Sequence, residues 1–133
     1  MDKFQLTCDI RIVEVCIYTT KWRMHAASLH YQKIGLISES THGCDGKCYR
    51  WYIEPKTKKG TVALIFLSWD TLNMEVLSHE LNHAAVHLWT YDEEKRELSC
   101  SNDEDLCYYQ SDMLCELLSM FTKEQQFKLL KIL

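Results

Sequence analysis

TVALIFLSWDTLNMEVLSHELNHAAVHLW, residues 61–89, decides the fold. It opens on the apolar run TVALIFLS (61–68), of strand length and without alternation, as expected of a strand covered on both faces. From Asp70 the period changes: Leu77, Leu81, Ala84 and Leu88 recur at i, i+4, i+7 and i+11, one apolar stripe of a helix that Asp70, Thr71 or Asn73 can cap. A buried strand running into an amphipathic helix predicts a sheet with that helix laid on it. On the helix, His79 and His83 fall away from the apolar stripe.

Working outward, DIRIVEVCIYT (9–19) alternates branched apolar residues with others and reads as a strand. TTKWRMHAASLHYQKIG (19–35) places Trp22, Ala26 and Leu29 at helical spacing behind a threonine cap, with Gly35 as a stop. GCDGKCYRWYIEP (43–55) carries the turn pair Asp45-Gly46 and then a strand, and PKTKKG (55–60) is a basic hairpin tip. Beyond the central helix, YDEEKRELSCS (91–101) is an acidic connection. A helix capped by Ser101 or Asn102 follows, with Leu106, Met113, Leu117 and Met120 as its buried stripe, and TKEQQFKLLKIL (122–133) forms a short terminal helix. Trp22, Trp51, Trp69, Trp89, Tyr49 and Tyr52 are expected in the core and on the sheet.

The 133 residues, 47% hydrophobic and 26% charged, suit a single domain over 1–133 with a core of its own. A net charge of −4 disfavours a dedicated nucleic-acid binder. No run of about 18 apolar residues offers a membrane span, and MDKFQLTCDI does not read as a signal peptide. Seven cysteines, Cys8, Cys16, Cys44, Cys48, Cys100, Cys107 and Cys115, are an odd set spread over strands and helices. They are expected as free thiols in a reducing cytoplasm, Cys44 and Cys48 among the more exposed, Cys107 and Cys115 in helix packing. Cys44-x-x-x-Cys48 lacks the spacing and the partner pair of a metal knuckle.

His79-Glu80-Leu81-Asn82-His83 is H-E-x-x-H on a helix, with its histidines about 6 Å apart along the axis and nearly in line. Both imidazoles can reach one ion. Zinc takes neutral imidazole nitrogens, and a catalytic site needs a third protein ligand and an open position for water. Glu80 is then placed beside that water as general base. His87 lies about 12 Å from His79 along a straight helix, too far to share the ion, and suits a supporting role. Glu104, after twenty intervening residues, starts the next helix and is the better third ligand. Asp103 and Asp105 flank it and suit the helix N-terminus, where negative charge is favoured.

HELNH followed at this interval by NDEDLCYYQSDML resembles the gluzincin pattern of zinc metallopeptidases, whose third ligand is a glutamate on a following helix. The short chain resembles the small metallopeptidases predicted from phage genomes and the minigluzincins. The resemblance implies an α+β, minimal zincin-like fold: a small, mainly antiparallel sheet, an active-site helix and a glutamate-bearing helix. It implies zinc on His79, His83 and Glu104, with Glu80 as general base, in a hydrolase acting on a protein or peptide, a host protein among the candidates. It also implies that TVALIFLS is the edge strand along which substrate pairs. Where some gluzincins carry an acid four residues after the glutamate ligand, this chain has Tyr108. The donor to the transition state is thus open among Tyr108, Tyr109 and His87. The competing expectation is a zinc-stabilised phage or mobile-element protein that binds a host protein without catalysis.

Overall fold

A computed structural model describes residues 1–8, 10–51, 60–92 and 104–130, with only the backbone at 91, 92, 104 and 105. The chain folds as β1 (Asp2–Cys8), β2 (Arg11–Tyr18), α1 (Lys21–Lys33), β3 (Gly46–Arg50), β4 (Gly60–Ser68), α2 (Met74–Asp92), α3 (Glu104–Met120) and α4 (Lys123–Leu130). The fold class is α+β, as expected. One four-stranded sheet has the order β1-β2-β4-β3; β2 and β4 are parallel and the outer pairs antiparallel.

β4 is apolar from Val62 to Leu67, and both of its faces are covered. Ala63, Ile65 and Leu67 join Val13, Val15 and Ile17 of β2 beneath α2, α3 and α4. Leu64 and Phe66 turn the other way, with Cys16, Tyr18 and Tyr49, beneath α1. Tyr18, Tyr31 and Tyr49 each meet the Phe66 ring edge-on, at 5.3–5.7 Å between centroids. Three layers result, with the sheet in the middle.

Several expectations are corrected. TVALIFLS is not an edge strand: it lies between β2 and β3, and β3 holds the edge on that side. The N-terminal strand β1 was not anticipated; it exists because Leu6 closes the core opposite Val13, and the Glu116 carboxylate of α3 accepts the Thr7 N–H at 3.2 Å on the outer edge. α1 begins and ends as expected, since Thr20 Oγ1 accepts the Arg23 N–H at 3.1 Å and Gly35 takes a φ of 80°. Its buried residues, however, are Met24 and Ser28, while Trp22 and Leu29 face solvent. On α3, Met113 and Leu117 are buried but Met120 is exposed, and the next residue, Phe121, packs on Phe4 and Trp69 instead. Cys107 and Cys115 are exposed rather than packed. α2 runs on to Asp92, into the stretch read as a connection. The basic tip 55–59, Cys100 and the caps Ser101 and Asn102 lie outside the described residues.

Candidate metal centre

α2 starts where Asn73 Oδ1 accepts the Val76 N–H at 2.8 Å, so of the three possible caps Asn73 is the one used. The turn before it is tied down: Ser68 and Thr71 share a 2.6 Å hydrogen bond, and Thr71 Oγ1 donates to the Asp45 carbonyl at 3.3 Å. Leu77, Leu81, Ala84 and Leu88 are fully buried against the sheet, which turns the opposite face of the helix outward. On that face His79 and His83 are exposed, with their Nε2 atoms 3.2 Å apart.

Two nitrogens bound to one tetrahedral zinc, each about 2.0–2.1 Å from it, lie about 3.3 Å apart. The histidine pair therefore already has the separation that a shared ion requires. Together with the Glu80 carboxylate the two rings form a group whose ligand atoms all lie within 4.8 Å of one another. The donor set fits a divalent ion that accepts imidazole nitrogen and carboxylate oxygen.

Glu80 is set differently from its neighbours, being only 5% exposed. Burial pushes its carboxyl above the ordinary range, against the opposing pull of His79, His83 and Lys47. The burial comes from β3. A side chain on Gly46 would stand 2.8 Å from Leu67 Cδ2 and 3.2 Å from both Glu80 Cγ and Val76 Cγ1, so only a glycine lets the strand pass this close to the helix. This corrects the sequence reading of Asp45-Gly46 as turn chemistry: the left-handed glycine there is Gly43, at φ 74°, and Gly46 belongs to the strand. Two residues on, the Cys48 thiol is pushed up to about 12 by burial and by the Glu80 charge; Cys44 and Cys48 are both half-buried, less exposed than Cys107 and Cys115.

A cleft of about 310 Å³ lies over the group, lined by Cys44, Gly46, Lys47, Cys48 and Glu39 as well as by His79, Glu80 and His83. Lys47 is ion-paired to Glu39 at its rim. A larger cleft of about 550 Å³ adjoins it, running between residues 35–39, β3 and the pair His83 and His87. Sequence reasoning missed β3 as a wall of the site; a glycine facing a helical glutamate leaves no spacing signature.

His87 does not join the metal group among the described residues. It is half-buried in the larger cleft, and burial, with Arg50 and His83 nearby, pushes its imidazole down to about 4. Tyr108 is 62% exposed, and Tyr109 packs against the main core. Of the three donors considered, His87 is the one that lines a cleft with His83. Glu104 is the first residue of α3, but its side chain, like that of Asp105, and the whole of Asp103 fall outside the described residues. α3 is held to the start of the motif, since Gln110 Nε2 donates to the Ser78 carbonyl at 3.2 Å.

No protein-family model, no curated protein and no solved structure matches this chain. The reading of the site rests on its own residues. Among the described residues no helix is long and apolar enough to cross a membrane.

Proposed function

We propose that this chain is a small zinc-dependent hydrolase of the cytoplasm, a metallopeptidase of gluzincin kind in which His79, His83 and Glu104 hold the metal and Glu80 is the general base. The observation that carries the reading is the 3.2 Å separation of His79 and His83 Nε2 beside a buried carboxylate on the same helix. Glu80 differs from an acid on an exposed helical face in being kept out of solvent where β3 passes the helix at Gly46.

A bound zinc would supply Lewis acidity toward a carbonyl oxygen and acidify a water. The chain's own groups do the rest. Desolvation raises the proton affinity of Glu80, which suits it to take a proton from an attacking water and return it to the leaving nitrogen. His87, neutral near pH 7 because its imidazole sits at about 4, offers a ring N–H to negative charge developing on the carbonyl oxygen. β3, at the sheet edge and along both clefts, offers backbone groups to an extended peptide.

The test pairs metal analysis with cleavage of a peptide library by the wild type and by Glu80→Gln. Both proteins should carry close to one zinc per chain, because Glu80 is not a ligand in this reading. Turnover should fall about 10²–10⁴-fold or more in the variant. Equal turnover removes Glu80 from the chemistry. A wild type that holds zinc and cleaves nothing transfers the case to a zinc-stapled binding protein, and loss of zinc on His87→Ala alone would replace Glu104 by His87.

A further inference from the structure

α1 carries a stripe of two large apolar residues and an alanine, ending in a lysine, on the side away from the sheet. Trp22, Ala26, Leu29 and Lys33, at i, i+4, i+7 and i+11, fall within an arc of about 60° on a helix. Trp22 is 75% exposed and Leu29 47%. Ile34 and Leu36, just past the helix, are also exposed. The sheet is served by the opposite side, where Met24 and Ser28 are buried and Tyr31 meets Phe66. Ser28 is satisfied there by the His25 carbonyl at 2.7 Å and by Thr41 at 2.9–3.2 Å. No rotation of the helix brings Trp22 inward without exposing these groups.

Charge marks the same surface. Between Glu14 and Glu39 the chain has no acidic residue, although it holds 19 in all. Lys21 is neutralised by Asp45 at 2.9 Å, but among the described residues neither Arg23 nor Lys33 has an ion-pair partner. A net-acidic protein thus presents a basic, apolar helix face.

We propose that the outward face of α1 is a docking surface for an acidic amphipathic helix of a partner protein. The alternating four- and three-residue steps from Trp22 to Lys33 are those of helix-to-helix packing, and Ala26 leaves a notch between Trp22 and Leu29 for a partner's side chain. Arg23 on the flank and Lys33 in the stripe face the partner's carboxylates. A helix lying on a lipid surface keeps its apolar and cationic faces apart, whereas here Lys33 stands in line with Trp22, Ala26 and Leu29. A second copy of the same face would bring Arg23 and Lys33 against their own kind. The docking surface does not depend on the metal reading.

The test is a binding titration with a labelled amphipathic helical peptide that carries leucines at a and d and glutamates on its flanks, beside the same peptide with lysines for glutamates. The wild type should prefer the acidic peptide by about tenfold or more, with the preference falling as salt rises. Arg23→Glu/Lys33→Glu should reverse it. Trp22→Ser/Leu29→Ser should weaken both peptides by about tenfold while the thermal melt stays within a few degrees. Absent binding, equal binding of the two peptides, or a preference indifferent to the charge reversal overturns the proposal. So does binding to phosphatidylserine vesicles in place of the peptide, or a dimer in sedimentation that Trp22→Ser dissolves.

Discussion

α1 and α2 lie on opposite faces of one sheet and use their apolar residues in opposite senses. α2 buries its stripe and turns His79 and His83 outward; α1 turns its stripe outward and buries a methionine and a hydrogen-bonded serine. The difference comes from what each helix must cover. Beneath α2 lie the branched side chains Val15, Ile17, Ile65 and Leu67, which large aliphatic residues match. Beneath α1 lie the aromatic rings of Tyr18, Tyr49 and Phe66, against which Met24, Ala27 and Tyr31 pack, while Ser28 bonds to Thr41. An apolar stripe read from the sequence therefore does not by itself say whether that face turns toward the sheet or away from it.

The largest effect expected from breaking this contrast is in the stripes themselves. Leu81→Ala, at a fully buried position of α2, should cost about 2–5 kcal/mol in urea unfolding. Leu29→Ala, at the equivalent apolar position of α1, should change stability by less than about 0.5 kcal/mol. Comparable losses would mean that the α1 stripe is covered within the molecule.

The α1 side of the sheet also has a pH signature. Cys16, 2% exposed, is pushed up from the ordinary thiol range to about 11, chiefly by burial. A thiol whose ionisation is harder in the folded state contributes stability that is full below about pH 9 and is lost as pH rises from 9 through 11. Two pH units correspond to about 3 kcal/mol. Stability curves of the wild type and Cys16→Val should therefore diverge in alkali, the wild type falling further; parallel curves would remove the effect.

Gly46 sharpens the comparison on the α2 side, where strand and helix touch most closely. Gly46→Ala must displace Leu67 or Glu80, and should cost about 1–3 kcal/mol. It should also lower zinc occupancy or turnover beyond what the stability loss explains, because Glu80 shifts. Gly35→Ala, in open space but at a φ of 80°, is the control: strain without displacement at the site. A smaller loss is expected at the caps, where both helices should respond alike. Thr20→Ala and Asn73→Ala each remove one acceptor from a helix start and should cost about 1 kcal/mol.

Much of the candidate site was legible because it lies on one helix. His79, Glu80 and His83 need only the helical period to be brought together, and the stripe through Leu77 and Leu88 orients them. What lay on other elements was not legible. Gly46 and Cys48 reach Glu80 through strand order, and Lys47 reaches the cleft through the same edge. β1 was missed although Lys3, Gln5 and Thr7 alternate with Phe4, Leu6 and Cys8, which face the core, at the period of a half-buried strand; its place at the outer edge of the sheet, paired with β2, was set by the fold.

Local patterning by itself determined the helix bearing H-E-x-x-H, the double-sided burial of β4 and the threonine cap of α1, and it left Asp70, Thr71 and Asn73 open as caps of α2. These depend on contacts within a turn or two, where backbone period and side-chain polarity act directly. The tertiary structure alone decided that β4 is central and β3 the edge, that Glu80 is buried under Gly46, and that Trp22 and Leu29 face outward. Each of those is a competition between distant segments for the same surface of the sheet, and a stripe or a glycine reads the same in the chain whichever segment wins.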